Sequence, residues 1–343
     1  MRWTVVVAGA LVPAPLAAEL CAGVRAVPLL ARGTAEPLQA IDNAPAHWAW
    51  LWRALGGQGA PVLAPYFLPR HAGSRPGDAP EDNAKLWVCD PVHFAVGLDD
   101  VQAQALAAPL TEAESRALFA PAAEAAQACG ATLIASEGRW LLRPESPWTL
   151  DTVPLDAALG QSVRQLWPRG ADALHWRKLL TEVQMRWHEH PVNEARAQRG
   201  SAVVNGLWLH GGGTYAPLPP ARWQAAVGDD PVLHGWLCAN GATPAACVDH
   251  AAPLPRTAAA LVLDDRLWPS HLAQDWPAWQ RAVDATATRL QTLTAHAYAQ
   301  GAQAVEVVLC GQRSTRTCTL RESDRWRFWR NTPLPQLLAE PLA

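Results

Sequence analysis

Lysine is almost missing from this 343-residue chain: only Lys85 and Lys178 occur, so nearly every cation is an arginine. Arginine's planar fork suits bidentate anion binding, but an excess spread along the whole chain marks no single site. The net charge of -3 gives no general attraction to nucleic acid or to an anionic membrane, and neither is expected as a partner. Long apolar runs are missing too, since nothing approaches the ~20 uninterrupted residues of a membrane span. No two cysteines form a C-x-x-C pair; the seven are scattered and odd in number. That argues against a disulfide framework and a structural zinc site, and for free thiols in a reducing cytosol. A cytoplasmic location is therefore expected. Neither G-x-G-x-x-G nor G-x-x-x-x-G-K-[ST] occurs, so both nucleotide-binding signatures are lacking.

What is present is a chain half apolar, with 18 tryptophans, long enough for one large domain with an insertion or for two ordinary domains. The start, MRWTVVVAGALVPAPLAAELC, imitates a signal peptide. Pro13 and Pro15 interrupt its apolar run and Glu19 spoils the cleavage pattern, so Trp3 to Ala8 reads instead as a short buried strand ending at Gly9. A helix through about Leu30, closed by Gly33, follows. HWAWLWRALGG (47–57) has helical spacing and a glycine stop, and the polar stretch 70–84 reads as a surface loop. LTEAESRALFAPAAEAAQACG (110–130) is helical with a Thr111/Glu114 capping box, and 131–144 reads as a hairpin turning at Glu137-Gly138.

Residues 93–154 therefore form a candidate small α+β insertion, leaving 1–92 and 155–343 as the core domain. A helix over 171–189 carries Trp176, Leu179, Leu180, Val183 and Trp187 on one face. SAVVNGLWLH (201–210), AALVLDD (259–265) and AVEVVLCG (304–311) read as strands buried on both faces of a parallel sheet, with a long helix over 279–301. Alternating helices and apolar strands predict an α/β fold with a mainly parallel sheet.

The stretch WHEHPVNEARAQRGSAVVNGLWLHGGG (187–213) suggests a zinc-protease helix, but His188-Glu189 lacks the second histidine that H-E-x-x-H requires. Pro191 disfavours helix at His190. PVNEARAQRG then reads as a short helix with Asn193 as N-cap and Gly200 as stop, on which Arg196 and Arg199 either meet a phosphate or a carboxylate or are solvated. Gly211, Gly212 and Gly213 would lie at a strand's carboxyl end, the edge where open α/β sheets bind ligands; Asn205 within the strand needs a partner if buried. Asp264 and Asp265, with His271 six residues on, are the best metal or acid/base candidates, followed by Asp90 and His93. The bland alternatives are caps and loop carboxylates. DRWRFWR (324–330) reads as a cover over the core rather than a base-stacking platform.

Taken together, WLWRALGG, WVCDPVHF, LTEVQMRWHEHPVNEARAQRGSAVVNGLWLHGGG, DDPVLHG, DWPAWQ and DRWRFWR resemble the bacterial regulatory protein RpfE family, over essentially the whole chain. The HPVNEAR...G segment is also similar to archaeal-type cofactor-independent phosphoglycerate mutases of the alkaline phosphatase superfamily. The resemblance implies a large, mainly parallel α/β sandwich with a small inserted domain, two divalent metals held by Asp and His at strand ends, and a Ser or Thr nucleophile. Departures are marked. Ala8-Gly9 stands where the family's first strand ends in Asp-Gly, Ala46-His47-Trp48 where it places the nucleophile, and Gly311-Gln312 where it places a last Asp-His pair. Thr34, Ser74, Ser314 and Thr315 remain as candidate hydroxyls.

The expectation is a mutase-like protein that has lost its metals and nucleophile and binds a phosphorylated or acidic metabolite, or acts in regulation. His190, Asn193, Arg196, Asn205 and Gly211 to Gly213 form its expected pocket, with no cofactor. The alternatives are an active mutase or phosphatase using Mn or Zn on Asp90, His93, Asp264, Asp265 and His271, and a non-catalytic interaction protein.

Overall fold

The computed structural model describes residues 1–24, 28–41, 44–68, 84–97, 100–104, 106, 109–136, 138–159, 161–240, 247–248 and 253–341. The described chain divides into two compact units. The first comprises Met1–Ala60 and Pro217–Ala343, the second residues 61–68 and 84–216. The candidate insertion 93–154 thus lies inside a wider unit. The reason is strand pairing: Leu86–Val96 pairs on one side with Gly206–Gly213 and on the other with Arg139–Pro144, which ties both flanks to the hairpin.

In the first unit the sheet runs, in spatial order, Cys247–Val248, Ala225–Val227, Ala260–Asp264, Arg2–Val7, Ala304–Cys310 and Ser314–Leu320, with Thr34–Ala35 and Gln39–Ala40 at the edge. All but the Ser314–Leu320 strand and those edge pieces are parallel. Arg2–Val7 is central and every residue from Trp3 to Val12 is buried, as a strand covered on both faces requires. Trp276–Ala299 packs Trp279, Val283, Leu290, Leu293 and Ala297 into the core at helical spacing. It is capped by Asp275, whose carboxylate accepts from the Ala278 amide at 2.9 Å. The expected helix through Leu30 is two short pieces, Ala14–Leu20 and Pro28–Arg32.

The second unit is an antiparallel sheet in the order Val101–Gln104, Leu86–Val96, Arg139–Pro144, Ala131–Ser136, with Gly206–Gly213 also on Leu86–Val96. The Thr111/Glu114 capping box opens the Glu112–Ala128 helix. That helix and Ala173–His188 bury a tryptophan-rich core that includes Trp140, Trp148, Trp176, Trp187 and Trp208. SAVVNGLWLH is therefore no member of the parallel sheet. A continuous apolar run fits any strand covered on both faces, and the pairing with Leu86–Val96 decided which sheet took it. Among the described residues, no helix is long and apolar enough to cross a membrane.

Candidate functional site

The carboxyl ends of the parallel strands in the first unit have several buried titratable groups close to them. Val7 is in register with Asp264 on one side and Leu309 on the other, and the Ala8 amide continues the pairing to the Asp264 carbonyl at 2.9 Å. The chain then turns at Gly9, whose φ of +76° favours glycine. A Cβ there would stand 3.0 Å from His271 Cβ and from the Leu267 carbonyl, so glycine also lets the short Trp268–Leu272 helix come close. The Gly9 carbonyl accepts from Trp279 Nε1 at 2.7 Å, which ties this turn to the long helix.

Asp264 is 2% exposed. Arg266 grips it bidentately, Nε to Oδ1 at 2.8 Å and Nη2 to Oδ2 at 2.5 Å, and Arg289 Nε stands 3.8 Å away. The hydrogen bond to Asp264 in turn holds the Arg266 guanidinium above its ordinary range. His271 lies against the Gly9 turn, and Trp268 links it to His47. His47, on the Ala46–Ala54 helix, meets the Trp268 ring edge-on at 4.6 Å, and Trp268 stacks on His271 at 5.6 Å. Burial pushes His271 down to about 4, against the opposing effect of a hydrogen bond to the Gly9 backbone. Burial, and next the nearby His271, push His47 down to about 3. Both imidazoles are thus neutral at neutral pH, and the Nδ1 atom of each is buried without a hydrogen-bond partner among the described residues. His47 occupies the place where the resemblance puts a nucleophile, and nothing in its surroundings was visible in the sequence.

The donor set does not suit a pair of divalent cations. A cation at Asp264 would have to displace a bidentate guanidinium. Among the described residues, no three His, Cys, Asp or Glu side chains are grouped to hold a metal. A buried carboxylate closed by arginine is instead an ion pair complete without a metal, with the Arg266 side chain 39% exposed.

The other sequence candidates are placed elsewhere. Asp90 and His93 belong to the second unit, three residues apart on one strand and so on opposite faces. His93 Nδ1 is 2.8 Å from the Val203 carbonyl. Asp90 instead meets His210 Nε2 at 2.8 Å, with Arg139 at 3.8 Å; burial works to raise its carboxyl, but the His210 hydrogen bond and these neighbours hold it below the ordinary range. His210 was missed in the sequence because it closes an apolar run; the cue was a histidine in a strand two-sidedly buried.

His190, not Asn193, caps the Pro191–Gln198 helix, its Nδ1 accepting from the Val192 amide at 3.2 Å. Proline at the first helical position marks the preceding residue as the cap. Asn193 is buried and uses its whole amide on backbone, donating to Trp187 and Val204 carbonyls and accepting from the Val204 amide, each at 2.8 Å. Arg196 is 1% exposed, donates to the Ala202 carbonyl at 2.8 Å and reaches Glu114 at 3.5 Å. Asn205 pairs with both backbone groups of Phe94. Gly211 to Gly213 lie within the strand itself, and a Cβ at Gly212 would sit 2.0 Å from the Trp87 ring. In this arrangement the motif staples a helix and a coil to the sheet. Of the hydroxyls, Ser314 donates to Glu340 at 2.8 Å, Thr315 is buried and Thr34 is exposed. Ser74, Glu137 and the loop 70–83 lie outside the described residues.

No protein-family profile matches the chain, and no curated protein does. Two solved structures align with most of it. One is a cofactor-independent phosphoglycerate mutase from Thermoplasma acidophilum, 13% identical, covering 100% of this chain and 95% of that one with a TM-score of 0.41. The other is the PH0037 protein from Pyrococcus horikoshii, also 13% identical, covering 93% and 87% with a TM-score of 0.48. Both likenesses are too slight to carry a fold family or a reaction over to this chain.

Proposed function

We propose that this chain is a phosphoglycerate mutase-like protein of the alkaline phosphatase superfamily that binds a phosphorylated or acidic metabolite at the carboxyl edge of its parallel sheet, without the two metals and without phosphoryl transfer. The observation that supports it is the Asp264 clamp: Arg266 occupies both carboxylate oxygens where a cation would need them. With Ala8-Gly9 and His47 at two further positions where the resemblance expects a ligand and a hydroxyl, the edge lacks, among the described residues, a grouped cation cage and the hydroxyl expected at position 47. Asp265 and His271 then have no acid/base role. Arg266, with a side chain 39% exposed, carries the anion's charge.

The test combines three measurements on the purified chain. Metal analysis is expected to find no stoichiometric manganese or zinc. Mutase and phosphatase assays with added manganese are expected to show no turnover, and 3-phosphoglycerate is expected to raise the melting temperature. That shift should vanish in Arg266→Gln, measured against the variant's own ligand-free melting point. Bound metal with turnover abolished by Asp264→Ala would overturn the proposal in favour of an active phosphotransferase.

A further inference from the structure

The segment 321–330 contradicts its sequence reading as a cover for the core. Trp326, Phe328 and Trp329 are 66%, 76% and 70% exposed. Three large aromatics within four residues, all turned to water, are far from the single scattered apolar side chains normal on a protein surface. Around them stand four arginines (Arg321, Arg325, Arg327, Arg330) against two carboxylates (Glu322, Asp324), a local net of +2 on a chain of net -3. Phe328 and Trp329 pack edge to face at 5.4 Å and 81°, and the Arg325 guanidinium lies 5.1 Å over the Trp326 ring. Beside this ridge runs an open groove of 510 Å³, formed with the Trp276–Ala299 helix and lined by Leu29, Ala295, Tyr298, Ala299, Glu322 and Arg325.

We propose that this ridge and groove are a docking surface for an acidic protein segment that carries large apolar side chains. Tryptophan and arginine are the residue types that dominate binding hot spots, and the groove has room for an apolar side chain while the arginines face carboxylates. Three other occupants suit it less. A second copy in a two-fold contact would bring the same arginines against one another. A bilayer is flat and leaves a groove unfilled. Successive bases stack on parallel platforms, and the 81° between Phe328 and Trp329 offers none.

The experiment is fluorescence anisotropy of the full chain with a fluorescein-labelled peptide of alternating glutamate and leucine. The controls are the matching lysine and leucine peptide, labelled oligo-dT, and phosphatidylcholine vesicles with and without phosphatidylserine. Binding of the acidic peptide is expected to exceed that of the basic one, and to weaken at least ~10-fold in Trp326→Ala/Trp329→Ala and in Arg325→Gln/Arg330→Gln, as for hot-spot truncations. Both variants alter exposed side chains, so their melting temperatures should match the parent. Equal or no binding of the two peptides overturns the proposal. So does binding of oligo-dT or vesicles that depends on the same residues, or a concentration-dependent dimer that the tryptophan variant abolishes.

Discussion

Lowering the pH from 7.5 to 5 should cost the first unit about 4 kcal/mol of unfolding free energy through His47 and His271, each contributing about 2. The sign follows from where the proton binds. Both folded-state imidazoles titrate far below the ordinary 6.5, at about 3 and about 4, because burial disfavours their charged forms. At pH 5 the unfolded chain therefore holds a proton on each ring and the folded chain holds almost none. Unfolding gains roughly 1.36 kcal/mol for every pH unit below the unfolded value. The stability is fully present above pH 6.5 and drains away as pH falls, until the folded rings themselves titrate. This window is separate from that of the carboxylates. Glu114, held at about 2 by the Thr111 amide and then by Arg199, loses its contribution only below its ordinary value near 4.5.

The assay is urea unfolding followed by tryptophan fluorescence at half-unit pH steps. His47→Phe keeps a ring against Trp268 and removes one titration, so its loss between pH 7.5 and 5 should shrink to about 2 kcal/mol. A parent protein whose stability changes by less than about 1 kcal/mol over that range would refute the reasoning, as would a His47→Phe variant with the parent's slope.

Three other substitutions probe the same architecture. Arg266→Met leaves Asp264 buried with only the more distant Arg289, and should lower unfolding free energy by about 3 kcal/mol in chemical denaturation. Asn193→Ala strips partners from the Trp187 carbonyl and from both backbone groups of Val204; a loss of roughly 2 to 4 kcal/mol is expected in the same measurement. An unchanged melting shift with 3-phosphoglycerate in that variant would confirm that this side chain staples rather than binds. Gly9→Ala forces an alanine into a left-handed conformation and against Leu267 and His271, so its melting temperature should fall by several degrees, corresponding to at least about 1 kcal/mol.

The elements that could be read from the sequence are those whose pattern is local and long. Ala173–His188 and Trp276–Ala299 show their buried faces as a 3.6-residue period, and the Thr111/Glu114 box announces its own helix. Arg2–Val7, Ala260–Asp264 and Ala304–Cys310 are mostly apolar because each is largely buried on both faces. VVNGLWLH has the same look, yet joins the antiparallel sheet, because an apolar run carries no record of its partner's direction.

The proposed site was half legible for a related reason. Residue type and position at a strand's end picked out Asp264 and His271, since both properties are local. Whether such a carboxylate serves a cation, a proton or an arginine depends on what else reaches it, and here the decisive group is Arg266, two residues on in the turn. Asn193 and Arg196 show the opposite case. Their polar chemistry suggested a ligand, but a polar side chain folded inward spends its hydrogen bonds on the backbone, and only the path of the Ala202 to Val204 coil reveals that. The exposed ring of Trp326 completes the contrast. Aromatic residues signal a core by default, so three of them facing water call for a physical cause outside the chain's own fold, and a binding partner supplies one.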